Sequence, residues 1–291
     1  MFVATLIANP SGKPLTDELV QRAAANLNSA DINWLADGIA ADIACDQSEC
    51  ESLWRDLQES EIDLVIQAES TRRKRVLLAD MDSTMIQQEC IDELADVAGV
   101  GAMVADITAR AMNGEMDFDG ALRERVGLLK DLNLDVIQQV LETRITLMPG
   151  GPALLATMKA NGAYCALVSG GFTDFTQAIA ARLGFDENRA NTLLNADGKL
   201  TGEVGMPILG REAKVEALKD IVARLDISPK DVIAVGDGAN DLGMLTLAGS
   251  GVALHAKPVV AAQCNIRLNF ADLSGLLYLQ GYSKSEFVLS I

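Results

Sequence analysis

The chain has 291 residues, of which 41 are acidic, 24 basic and one a histidine, giving a formal net charge of −17. That balance disfavours nucleic acid and anionic membrane as partners, and the lone His255 excludes sites built from several histidine ligands. No apolar run approaches the ~18 residues of a membrane span, no secretory signal is evident, and five scattered cysteines without a CxxC (Cys45, Cys50, Cys90, Cys165, Cys264) point to reduced thiols in a cytoplasmic setting.

Residues 1–70 hold 13 acidic and 3 basic side chains, a denser negative charge than the rest. FVATLIA reads as a strand, and LTDELVQRAAANLNSA as a helix with Leu19, Ala23, Ala24 and Leu27 on one face. INWLADGIAADIAC reads as two strands turning at Asp37-Gly38, SECESLWRDLQES as a second helix and IDLVIQA as a last strand. The order βαββαβ is that of a small α+β, ferredoxin-like sandwich. TRRKR at 71–75 reads as a solvated boundary segment, which divides the chain into residues 1–72 and 73–291.

The second region alternates helical stretches with short apolar runs: RVLLA (75–79), YCALVSG (164–170) and VIAVG (232–236). Each ends in a polar, acidic or Gly-rich turn. This predicts an α/β, Rossmann-like parallel sheet with its functional residues at the carboxyl ends of the strands. The roughly 80 residues between the first two strands exceed what a crossover needs, so an inserted helical cap is expected at about 88–148. A smaller insertion at 191–204 reads as a hairpin turning at Asp197-Gly198.

The chemistry is carried by four segments. VLLADMDST puts Asp80 and Asp82 at the exit of a strand, where two close carboxylates raise a pKa or require a cation. VSGGF places Ser169 at the end of a second strand, with Gly170 and Gly171 expected to open a helix, an arrangement suited to an anion. Lys214 lies at the start of a helix, and VGDGAND ends the third strand with Asp237, Asn240 and Asp241. Singly, these are a turn, an N-cap, a surface lysine and an acidic loop; in this order at strand ends they are a phosphoryl-transfer set. A hard divalent cation suits the carboxylates, and a carboxylate nucleophile needs such local screening in a chain of this charge.

The pattern DMDST, SGG, K, GDGAND resembles the haloacid dehalogenase superfamily and, within it, the branch that releases serine from O-phosphoserine, the closing step of serine biosynthesis. The resemblance implies a Mg²⁺-dependent phosphatase with Asp80 as nucleophile and Asp82 as acid and then base. Asp80, Asp237 and the backbone carbonyl of Asp82 would bind Mg²⁺, with Asp241 holding its water shell or Lys214. Ser169, Gly170, Lys214 and Asn240 would hold the substrate, mainly at its phosphoryl group. In the cap, Glu89 would meet the substrate ammonium and Arg125 its carboxylate, with Phe118 and Met112 as apolar walls. The alternative is a same-fold phosphatase for another small phosphomonoester. A phosphorylated receiver is disfavoured by the second acid at Asp82 and by the insertion. The element order of residues 1–72 resembles the amino-acid-binding ACT domain, which implies a regulatory or homodimerising role. The partners expected are the small-molecule substrate phosphoserine, a second copy of the chain, and neither nucleic acid nor membrane.

Overall fold

The computed structural model of the chain describes residues 1–112 and 115–289. Its first element, β1 (Phe2–Ala8), is followed by α1 (Asp17–Asn26), β2 (Ile32–Ala36), β3 (Ala40–Cys45), α2 (Glu51–Glu59) and β4 (Ile62–Ala68). The strands form one antiparallel sheet in the order β2-β3-β1-β4. Thr16 starts α1 by accepting the Leu19 N–H, and Gly38 takes the positive φ of 68° that the β2–β3 turn requires. Alternation along β1 sends Ala4, Leu6 and Ala8 into the core under α1 and α2, with Val20, Ala23, Leu53 and Leu57.

The opposite face of this sheet is not left to solvent. Ile7, Leu35 and Val65 join the core of the second region, beside Leu276, Leu277 and Tyr278. Asp63 is buried at that junction and accepts the backbone N–H groups of Asn269, Phe270 and Ala271 at 2.8–3.1 Å.

The basic run corrects one expectation. Arg72 pairs with Asp42 at 2.7 Å with only 14% of its side chain exposed. Arg73 lies 4.1 Å over the Tyr282 ring, and the buried Lys74 donates to the Lys230 carbonyl at 2.8 Å. TRRKR is thus solvated only in part: Thr71, Arg73 and Arg75 are exposed, while Arg72 and Lys74 turn inward, where their charges need partners.

The larger sheet is parallel and has six strands: β5 (Val76–Ala79), β6 (Tyr164–Phe172), β7 (Glu187–Asn191), β10 (Val232–Gly236), β11 (Ser250–Leu254) and β12 (Ile266–Leu268). Their order is β12-β11-β10-β5-β6-β7. Leu77, Ala79, Ile233 and Val235 face one core, with α7 (Gly151–Ala160), α8 (Thr173–Leu183) and α12 (Gly275–Leu279). Val76, Leu78, Val232 and Ala234 face the other, with α9 (Arg211–Arg224), α10 (Leu242–Leu247) and α11 (Pro258–Ala261). A short antiparallel hairpin, β8 (Leu193–Ala196) and β9 (Lys199–Val204), turns at Asp197-Gly198.

Four helices stand between β5 and α7: α3 (Cys90–Val97), α4 (Gly101–Met112), α5 (Phe118–Gly127) and α6 (Asp135–Thr143). The two strands of chain entering and leaving this cap meet at a bridge between Ile86 and Leu147. The chain runs outward from β5 to β7, returns to β10 beside β5, and runs outward again to β12. The reversal between β5 and β10 makes their carboxyl ends the natural crevice for a ligand. Among the described residues no helix is long and apolar enough to cross a membrane.

Candidate active site

The chain leaves β5 into Asp80-Met81-Asp82, and the two carboxylates meet different partners. Asp80 Oδ1 lies 2.6 Å from Lys214 Nζ. Asp82 turns the other way: its Oδ1 accepts the Cys90 N–H at 2.9 Å, and its Oδ2 accepts the Ser169 hydroxyl at 3.3 Å. Burial and the neighbouring Asp241 push the Asp80 carboxyl well above the usual range, against the pull of Lys214. Burial also raises Asp82, with its bonds to Cys90 and Ser169 opposing. Two acids two residues apart are thereby placed in distinct environments, the arrangement that separates a nucleophile from a proton carrier.

Lys214, on the first turn of α9, is only 1% exposed. Its Nζ also contacts Asp241 Oδ1 at 2.5 Å, while Asp241 Oδ2 accepts the Gly238 N–H. Burial alone would lower the pKa of this lysine, but Asp80 and Asp241 outweigh it and hold the pKa above the ordinary value. Asp237, next to the end of β10, accepts the Thr84 hydroxyl at 3.1 Å. Burial and then Asp241 raise its carboxyl.

Oxygens of Asp80, Asp237 and Asp241 lie within 4.8 Å of one another. This is an acidic cluster able to hold a divalent metal. The donors are all hard oxygens, which fits a small hard cation rather than a thiolate- or imidazole-loving metal. Asp241, with one oxygen on Lys214 and the other on a backbone N–H, is the member most engaged by the protein itself.

Ser169 lies near the end of β6, where its hydroxyl accepts the Gly171 N–H at 2.8 Å. The glycines do not open a helix, as the sequence suggested. The strand continues through Phe172 across a register shift between Val168 and Phe172, and α8 begins at Thr173. The irregular strand end takes Gly170 out of the strand register, while the Gly171 N–H is turned back onto Ser169. A Cβ on Gly171 would stand 2.6 Å from Asp82 Oδ2, so the close approach of this loop to Asp82 requires glycine. The half-buried Asn240 borders the same floor, its Nδ2 3.9 Å from a Cβ built on Gly170.

The cap contributes the remaining predicted residues. Glu89 is the N-cap of α3 and accepts the Ser83 hydroxyl at 2.7 Å. It stands at the solvent edge, yet the protein on its inner side and the Asp82 charge push its carboxyl up to about 7. Arg125, in the last turn of α5, is lowered by burial, against the carboxylates of Asp92, Glu89 and Asp82. Phe118 opens α5 and lies against Gly170 and Gly210. The side chain of Met112 lies outside the described residues.

Beyond the residues expected from the sequence, Ser83, Thr84 and Asn191 also bond within the site. Ser83 takes a positive φ of 55°, uncommon for a residue with a Cβ. Asn191 bonds to the backbone of both the Gly170 and Leu209 segments.

The family model of the haloacid dehalogenase-like hydrolases matches residues 77–246. A phosphoserine phosphatase of Vibrio cholerae is 46% identical over 202 residues, which is 69% of this chain and 61% of that protein. The chain therefore spans about three fifths of the length of that curated relative. A solved hydrolase of the same family from Salmonella enterica serovar Typhi superposes with a TM-score of 0.84 at 31% identity, covering 96% of this chain and 98% of its own. A structure described as a phospho-aspartyl intermediate analogue of phosphoserine phosphatase gives 0.66 at 40% identity, covering 71% and 98%.

Proposed function

The chain belongs to the haloacid dehalogenase-like hydrolases, and on that footing we propose that it is a Mg²⁺-dependent phosphatase that releases serine from O-phospho-L-serine. The observation that carries the reading is the division of labour at the end of β5: Asp80 on Lys214, Asp82 on Ser169 and the Cys90 N–H. The V. cholerae relative bears that activity in its name, and the phospho-aspartyl analogue was captured in another phosphoserine phosphatase.

Asp80 is the nucleophile. With one oxygen held by Lys214, the other attacks phosphorus, and the bond from phosphorus to the serine oxygen breaks. Asp82, whose raised pKa favours a bound proton, gives that proton to the departing serine oxygen. The same carboxylate then takes a proton from water. The water oxygen attacks the aspartyl-phosphate, the bond to Asp80 breaks, and phosphate is released. Ser169, the N–H of Gly170, Asn240 and Lys214 hold the phosphoryl oxygens as charge spreads over them. Asp80, Asp237 and Asp241, with the backbone carbonyl of Asp82, would hold Mg²⁺, which when bound supplies positive charge beside the phosphoryl group.

Specificity lies in the cap. Glu89 and Arg125 provide a carboxylate for the ammonium and a planar fork for the carboxylate of one small zwitterion, and Phe118 closes the apolar side. Residues 73–291 form the phosphatase unit. Residues 1–72 form an ACT-like regulatory or dimerising unit, a reading supported by the βαββαβ order. The face of its sheet away from α1 and α2 is already covered by α12, so a dimer would use another surface.

The test is kcat/KM for O-phospho-L-serine beside O-phosphoethanolamine, which lacks the carboxylate, and 3-phosphoglycerate, which lacks the ammonium. Preference for phosphoserine over both, lost toward phosphoethanolamine in Arg125→Ala, supports the reading. A stronger preference for another phosphomonoester would keep the chemistry and reject the substrate.

A further inference from the structure

Phe118 reaches from the cap to two bare stretches of core backbone. A Cβ on Gly170 would stand 3.2 Å from Phe118 Cζ, and one on Gly210 would stand 3.3 Å from Cδ1. Both are shorter than the ~3.5–4.0 Å of comfortable carbon contact, so the ring fills a slot that side chains on either wall would narrow. One wall is the irregular end of β6. The other is the residue that precedes α9.

These walls come from separate parts of the chain and are joined by one side chain. Asn191, the last residue of β7, is 1% exposed. Its Nδ2 donates to the carbonyls of Gly170 and Leu209 at 2.8 and 3.1 Å, and its Oδ1 accepts the Leu209 N–H at 2.7 Å. A buried amide so fully bonded has one low-energy position, and it fixes the separation of the two backbones. Gly170 adjoins Ser169, and Gly210 heads the helix that carries Lys214. The clamp that sets the slot therefore also sets the distance between two groups placed on the phosphoryl oxygens.

We propose that Asn191 and Gly210 are positioning residues for the reaction: Asn191 fixes the width of the slot, Gly210 keeps it open, and Phe118 seats in it. The seating of the cap and the geometry of the phosphate site are then coupled, because the cap's ring is received by the same two loops that present Ser169 and Lys214. This deepens the phosphatase reading and rests on it for its catalytic consequence, while the seat itself is a packing relation that can be measured without turnover.

The experiment is a double-mutant cycle in the full chain with Gly210→Ala, Phe118→Ala and both together. It is read by hydrogen exchange of the α5 amides and by kcat/KM for O-phospho-L-serine. Displacing the ring by a few tenths of an ångström should speed α5 exchange and lower kcat/KM by roughly five- to tenfold. With Phe118 already truncated, Gly210→Ala should change either quantity by less than about twofold. Equal effects in both backgrounds would overturn the proposal. Asn191→Ala should speed α5 exchange with the same dependence on Phe118, and should lower kcat/KM in both backgrounds because it also sets the distance between Ser169 and Lys214; if it does not fold, the Gly210 cycle decides alone. A wild-type chain that releases no phosphate would reject the phosphatase reading, and the exchange cycle would still judge the seat.

Discussion

Ser83 donates its hydroxyl to Glu89 at 2.7 Å from a backbone held at a φ of 55°. The residue after Asp82 thus accepts a conformation that side chains disfavour and reaches the carboxylate proposed to meet the substrate ammonium. Removing the hydroxyl should leave that carboxylate free to turn toward solvent. Ser83→Gly, which relieves the backbone and deletes the bond, should lower selectivity for phosphoserine over 3-phosphoglycerate by roughly fivefold, about the 1 kcal/mol net worth of one ordinary hydrogen bond. Unchanged selectivity in Ser83→Gly would show that the bond does not orient Glu89.

The pH dependence of the same carboxylate follows from its position. Glu89 is raised from 4.5 to about 7 by burial and by Asp82, so the form that attracts an ammonium is lost as pH falls through about 7. The ratio of kcat/KM for phosphoserine to that for 3-phosphoglycerate should fall by roughly tenfold between about pH 8 and pH 6, the range over which a group of that pKa protonates. Taking the ratio cancels the titration common to both phosphates. In Glu89→Gln the ratio should be low and nearly flat. For stability the sign is opposite: the folded pKa exceeds the unfolded one, so this group's contribution is lost as pH rises from about 4.5 to 7.

Lys214 is buried between Asp80 and Asp241 at 2.6 and 2.5 Å. Replacing it by Met leaves two buried carboxylates facing each other. We expect a loss of about 3–5 kcal/mol in unfolding free energy at neutral pH, the usual result of removing one partner of a buried ion pair. The deficit should shrink as pH is lowered, because Asp80, already raised well above its ordinary range, takes up a proton. Urea titrations at neutral and acid pH measure this directly. Turnover should fall by about 10²–10³-fold or more, as when a preorganised electrostatic group is removed.

The strands of the first sheet, β5, β6 and β10 of the second, and the four motif positions are legible in the sequence because they depend on short-range pattern. The polar edge strand β7 (ENRAN), the three-residue β12 (IRL) and β11 between β12 and β10 are not. Apolar runs such as VLLA and VIAVG define buried parallel strands, and the polar residues that end them fall at the crevice by topology alone. What was hidden depends on contacts across the fold. Asn191 acts on segments about 20 residues away through backbone atoms, which have no residue-type signature. TRRKR carries the composition of a solvated strip, and only contacts across the fold turn two of its residues inward, Arg72 to Asp42 of the first sheet and Lys74 to the Lys230 carbonyl. The Gly-Gly pair after Ser169 suits an irregular strand end as well as a helix start, since glycine has little preference between them. Thr84 could have been found from the threonine of DMDST, but its bond to Asp237 spans 153 residues.

The most direct test of the account is an acid quench of the enzyme during turnover of phosphoserine labelled in its phosphoryl group, with Mg²⁺ and with chelator. The account predicts label bound to the wild-type chain at Asp80 and phosphate release, both dependent on Mg²⁺, with neither in a folded Asp80→Asn variant. Phosphate release at near wild-type rate by Asp80→Asn, or label on another residue, would contradict it.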